Sequence, residues 1–180
     1  KIPRISLNKL NEGLISASQI ATDKNIYEDR VQRKIRAFNG IPRLKDCGGC
    51  GNQIVFFPNG EIGVCEAYLG DRNYLIGNVD TFNFIDLENN NIIKKWTERY
   101  PLNIEYCIYC PALGICGGGC PFNAETRLKN IYELDKPFCV HTNKILEWLL
   151  KKTVKDKTKE TDIYMRDISF MFLGKNFQIS

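Results

Sequence analysis

The 180-residue chain is 43% hydrophobic with a formal net charge of +4, a balance that suits a folded domain and excludes a disordered or membrane-spanning class. No stretch is long and apolar enough for a signal peptide or a membrane span, so a reduced cytoplasmic setting is expected, and there clustered cysteines serve metal rather than disulfides. Counting Lys and Arg against Asp and Glu, residues 1–46 carry 10 and 5, residues 47–150 carry 8 and 12, and residues 151–180 carry 7 and 4. The central region is acidic, which argues against a nucleic-acid partner.

In chain order, Lys1 stands where an initiator Met would, so a piece of a longer protein is expected. Residues 1–21 hold Leu7, Leu10, Leu14 and Ile15 without a clear period. From Thr22 a helix is expected, with Thr22 as cap and Tyr27, Val31, Ile35 and Phe38 on its apolar side, up to the stop at Gly40-Ile41-Pro42. Arg30, Arg33, Lys34 and Arg36 make its polar, solvated face. Cys47-Gly-Gly-Cys50 follows as a C-x2-C knuckle. Gln53–Phe57 and Glu61–Glu66 read as a β-hairpin about Pro58-Asn59-Gly60, which returns Cys65 toward that knuckle.

A short strand is expected at Tyr74-Leu-Ile76, and Asn89 to Asn91 offer caps for a short helix bearing Ile92, Ile93 and Trp96, stopped by Pro101. The densest stretch comes next: Cys107, Cys110, Cys116 and Cys120, spaced C-x2-C-x5-C-x3-C, with Gly117, Gly118 and Gly119 before the last. Thiols this close in sequence pair poorly as disulfides but can converge on a metal centre, and glycines admit the tight turns and close N–H approaches such a centre needs. A helix from about 137 to 152 carries Cys139 in its first turn, where the helix dipole would favour a thiolate. His141 is taken as an exposed residue of that helix. Tyr106, Tyr109, Phe122 and Phe138 flank cysteines and would shield them from water. Lys151 to Asp162 reads as a charged linker and Ile163 to Ser180 as a strand-prone extension.

Eight cysteines divide into two sets of four, which suits either two 4Fe-4S clusters or two structural zinc sites. Spacing leaves two divisions open. In one, Cys107, Cys110, Cys116 and Cys120 form a set and Cys47, Cys50, Cys65 and Cys139 the other. In the interleaved one, Cys120 and Cys139 change places.

The pattern Cys50-x9-Gly60-x4-Cys65, then Cys107, Cys110, Cys116 and Cys120 at the spacing above, then Cys139, resembles the seven-cysteine signature of the SPASM domain. That domain is the auxiliary-cluster portion of many radical SAM enzymes that modify peptides and proteins. The match runs over residues 47–139, with Cys47 as an added upstream ligand. The resemblance implies an α+β fold, a small cysteine-rich domain with a β-hairpin and short helices organised around two metal clusters. It implies the interleaved division: Cys47, Cys50, Cys65 and Cys120 for a first 4Fe-4S cluster, and Cys107, Cys110, Cys116 and Cys139 for a second.

It further implies residues 1–46 as the end of a catalytic barrel and its bridge, residues 47–150 as the cluster domain, and residues 151–180 as linker and extension. The implied substrate is a ribosomally made peptide or a protein. The C-x3-C-x2-C motif that would hold a third cluster and S-adenosylmethionine does not occur in the chain; Cys116-x3-Cys120 comes nearest, with Asn123 where the third cysteine would stand. A radical SAM catalytic domain is therefore an expected partner, and this chain alone is not expected to cleave S-adenosylmethionine. The competing reading is a binding module with two four-cysteine zinc sites.

Overall fold

The computed structural model describes residues 5–157; the extension expected at 163–180 lies outside them. Two units divide the chain, Lys1–Leu146 and Glu147–Ser180. In the first, short helices and turns accompany a three-stranded antiparallel sheet in the order β1-β2-β3, with β1 at Val55–Phe56, β2 at Glu61–Gly63 and β3 at Leu75–Asn78. Residues 1–46 and the cysteine-bearing region share this unit.

The N-terminal stretch without a clear period is a helix, α1, Leu7–Asp23, capped by the Ser6 side chain. Its buried positions are Asn11 and Ser18 rather than large apolar residues, so the inward stripe carried no hydrophobic signal to read. The cap expected at Thr22 is corrected: Thr22 sits in the last turn of α1, its hydroxyl donating to Ser18 O at 2.9 Å. The next helix, α2, Asp29–Phe38, starts six residues later than expected, with Glu28 accepting from the Arg30 and Val31 N–H groups at 2.7 and 2.9 Å. A carboxylate beside the positive end of a helix does what the hydroxyl was expected to do. Lys34, placed on the solvated face from sequence, is instead buried at 1% exposure beside Val31 and Ala37.

The hairpin stands where the Asn-Gly turn predicts it, with ladders shorter than the apolar runs: Val55 faces Gly63 and Phe56 faces Ile62. On the other side of β2, Glu61 faces Asn78 and Ile62 faces Gly77, and an irregularity follows Ile62. Beneath the sheet Ile62, Val64, Tyr68, Ile76, Trp96 and Ile131 form the core, with Cys65 among them. Its aromatic members meet at angles: Tyr68 and Phe122 at 4.9 Å and 78°, Tyr74 and Trp96 at 5.6 Å and 71°. Edge-to-face rings set positive rim against negative face and so specify orientation as well as burying area.

Trp96 arrives on α3, Asn91–Thr97, whose N-cap Asn90 accepts from Ile92 N and Ile93 N at 2.9 and 3.2 Å. Asn90→Ala removes the acceptor for both, and thermal unfolding is expected to show a loss of about 1 kcal/mol; an unchanged melting temperature would mean that Asn90 contributes no capping energy.

The remaining helices are α4, Leu113–Cys116, α5, Pro121–Leu128, and α6, Lys136–Lys157. The charged stretch expected as a linker from Lys151 is corrected in part, since residues 151–157 continue α6. There Lys151 pairs with Glu147 one turn back at 2.6 Å, the spacing at which opposite charges support a helix. Among the described residues no helix is long and apolar enough to cross a membrane.

Candidate metal centres

Three successive glycines after α4 decide how the cysteines divide. Gly117, Gly118 and Gly119 have φ of 76°, 88° and 70°, a left-handed run that residues bearing a Cβ adopt only at a cost. It turns the chain sharply between Cys116, at the end of α4, and Cys120, at the start of α5. The same segment is held by backbone: Asp46 N donates to Gly117 O at 2.8 Å, and Arg43 N to Gly114 O at 2.7 Å. The approach at Gly117 is close, for a Cβ there would lie 2.5 Å from Asp46 N.

All eight cysteines are free thiols, and they gather in two groups. Cys107, Cys110, Cys116 and Cys139 line one small, partly enclosed cavity of about 20 Å³, together with Pro101, Ala112, Leu113, Thr142 and Asn143. Cys139 is pushed up to about 12 by burial and then by Cys116, Cys107 and Cys110. The helix dipole expected to favour its thiolate is thus outweighed. Cys107 is pushed up to about 11 by burial, then by Cys116 and Cys110. Burial also raises Cys116, against which the Gly118 N–H and the Thr142 hydroxyl work. Thr142 itself is fully buried.

The other group joins residues far apart in sequence. The Cys50 thiol donates to Cys47, which holds Cys47 down to about 6, while the same shared proton drives Cys50 upward. Cys65 is pushed up to about 11 by burial, with the charges of Cys47 and Cys120 adding to it. Cys120 is raised by burial, and the Asn123 and Phe122 N–H groups at the start of α5 favour its thiolate against the effect of Cys47. Cys107, Cys110, Cys116 and Cys139 thus share a cavity, while Cys50, Cys65 and Cys120 each interact with Cys47. The consecutive run is split by its own glycines.

The donor chemistry fits iron-sulfur centres. Each group offers four thiols in a largely apolar setting, and backbone N–H groups favour the thiolate at Cys47, Cys65, Cys116 and Cys120, as the sulfurs of such centres require. Because burial raises most of the thiols, loading a centre must displace protons, which couples metal binding to pH. Among the described residues no three His, Cys, Asp or Glu side chains converge closely enough to hold a single ion.

Two expectations about neighbours are corrected. His141 is buried, its Nδ1 lying 2.9 Å from Asn11 Oδ1, and burial, followed by Lys34 and Arg30, depresses it to about 4. It is a neutral core residue joining α6 to α1, and the partner Asn11 lies in a segment that carried no readable period. Tyr106 and Tyr109 turn most of their surface to solvent, being 67% and 83% exposed, while Cys107 between them is buried. Phe122 and Phe138 do pack inward, Phe122 on Tyr68 and Phe138 against Gly119. The largest cavity described, about 630 Å³, lies between Gly51–Ile54 and α3 and is lined by no cysteine.

Sequence reasoning missed Arg99. It is wholly buried, and its guanidinium donates to the carbonyls of Ile131, Gly119 and Glu133. A lone arginine behind a short amphipathic helix gives no sign of burial until the loop 129–135 folds over it.

No family model matches the chain. It is similar to the radical SAM cyclopropyl synthase TigE of Paramaledivibacter caminithermalis, 28% identical over 127 residues, which is 69% of this chain and 24% of that protein. The chain thus spans about a quarter of that relative's length. The similarity supports a radical SAM family relationship and, with it, iron-sulfur chemistry.

Proposed function

We propose that this chain is the auxiliary-cluster portion, of the SPASM type, of a radical SAM enzyme that modifies a ribosomally made peptide or a protein. Cys47, Cys50, Cys65 and Cys120 hold one 4Fe-4S cluster, and Cys107, Cys110, Cys116 and Cys139 hold the other. S-adenosylmethionine and a third cluster belong to a separate catalytic domain. The observation that carries this reading is the interleaving: two groups of four thiols in space that are not the two groups nearest in sequence. Distant similarity to a radical SAM enzyme supports it independently.

When bound, such clusters accept and pass on single electrons, and four thiolates apiece leave no iron open for substrate. The chain's own residues do the rest. Burial of Cys107, Cys116 and Cys50 keeps water from the sulfurs, and backbone N–H groups favour the charged form of Cys47, Cys65, Cys116 and Cys120. The glycine run lets Cys116 and Cys120 serve different centres four residues apart. Each centre then ties distant segments together, so metal and fold stand or fall together.

Metal analysis of anaerobically purified protein tests this. The expected result is brown protein with about eight iron and eight sulfide per chain, the content of two 4Fe-4S centres. Colourless protein with about two zinc that iron reconstitution does not displace would establish two structural zinc sites instead.

A further inference from the structure

A buried arginine without a carboxylate is expensive, because a guanidinium taken out of water keeps its charge at any ordinary pH. Arg99 is such a residue: it is 0% exposed and, among the described residues, its hydrogen bonds go to backbone carbonyls alone. Carbonyl dipoles satisfy its N–H groups but do not neutralise it. The groups able to do so are thiolates near the glycine run that it touches. Its Nη1 donates to Gly119 O at 3.2 Å, the peptide that leads into Cys120, and a Cβ on Gly118, the residue whose N–H serves Cys116, would stand 3.4 Å from that same nitrogen. Its charge acts on Cys50 in one quartet and on Cys107 in the other.

We infer that Arg99 is a shared counter-charge for two iron-sulfur centres, held between them so that it raises the reduction potential of both. The inference rests on the auxiliary-cluster reading above. A cluster that takes up one electron gains one negative charge, with no proton or bond exchanged. A fixed cation nearby stabilises the reduced form over the oxidised one, the more so in a medium from which water is excluded.

Two other cations are more selective. Lys45 Nζ donates to Cys50 O at 2.7 Å and belongs to the first quartet. Lys34, buried beneath the Phe138 ring with Nζ 4.5 Å from its centroid, acts on Cys116 in the second. Asp135, buried at 2% exposure, opposes them at Cys120 and Cys139. Arg99 differs from both in its place, its Nη1 against the glycine run that joins Cys116 to Cys120.

The test uses the full chain reconstituted anaerobically with iron and sulfide, in wild-type, Arg99→Gln and Arg99→Lys forms. Each is assayed for iron per chain and titrated with dithionite under paramagnetic resonance. In Arg99→Gln both centres are expected to remain loaded and both to become harder to reduce. At a fixed potential the ratio of reduced to oxidised cluster should fall about tenfold, a shift of about 59 mV for a one-electron couple. Arg99→Lys, which keeps the charge and loses the fork, should retain most of the wild-type potential.

Loaded Arg99→Gln protein with unchanged potentials would overturn the inference and leave Arg99 as a clamp on the glycine run. A shift at one centre alone would overturn the shared role. If Arg99→Gln does not load, Arg99→Lys decides: loading with lysine supports the charge, and failure of both variants shows that the fork geometry alone matters. Wild-type protein that takes up no iron would instead remove the cluster reading itself.

Discussion

Cys120→Ala is expected to leave a protein with about four iron in place of about eight, and the iron that remains should sit with Cys107, Cys110, Cys116 and Cys139. The reason is spatial rather than sequential. Cys120 lies within electrostatic reach of Cys47 and Cys65, whereas Cys139 takes its strongest thiol interactions from Cys116, Cys107 and Cys110. Cys139→Ala should therefore give the mirror result, emptying the second centre and sparing the first. Both variants should also unfold at lower temperature than the wild type, because each centre joins segments that little else holds together. Iron counting alone does not separate the two variants, so the remaining centre must be identified by its spectrum in each. If both replacements empty the same site, the four consecutive cysteines form one centre and the interleaved ligand sets are wrong.

Gly117→Ala is the second substitution with a large expected effect, and it alters no cysteine. A Cβ at this position would lie 2.5 Å from Asp46 N and 2.7 Å from Lys45 C, both backbone atoms that cannot swing aside. The φ of 76° adds a left-handed strain that alanine tolerates poorly. Together these should cost about 3 kcal/mol, break the Asp46 to Gly117 hydrogen bond and spoil the turn that separates Cys116 from Cys120. Lower iron content at both centres is expected along with the loss of stability. Gly114→Ala is the control: a Cβ there meets nothing within 4 Å and the backbone is helical, so alanine should be neutral or stabilising by up to about 1 kcal/mol. Equal behaviour of the two variants in denaturant unfolding would show that the close approach at Gly117 is not what holds the run in place.

How far these features could be read in advance varied with the physics behind each. The hairpin was legible because an Asn-Gly turn flanked by apolar runs is a local signal, and so was α3, because Asn90 caps it from within the segment. The length of the strands was not, since the β1–β2 ladder stops after two residue pairs although the apolar runs go on. α1 was missed because Asn11 and Ser18 occupy its buried stripe, and the partner that meets Asn11 there is His141, on the distant α6. Lys34 was placed in solvent because charge is the better guide on an isolated helix; its burial depends on Phe138, more than a hundred residues on. Glu28 replaced Thr22 as a cap because α1 had already taken Thr22.

The sequence by itself determined the number of thiols, their spacing and the glycines between them, and hence that metal chemistry was in play, because side-chain chemistry and backbone freedom are properties of the residue alone. The spacing left the division of the thiols open; the tertiary structure sets four of them on one cavity and Arg99 beside the glycine run. That grouping depends on the left-handed run at Gly117 to Gly119, the return of Cys65 just past the end of β2, and the arrival of Cys139 on α6 at the cavity shared with Cys107, Cys110 and Cys116. Each is a contact between distant segments, whose free energy comes from burial and close approach. No window of the chain contains it.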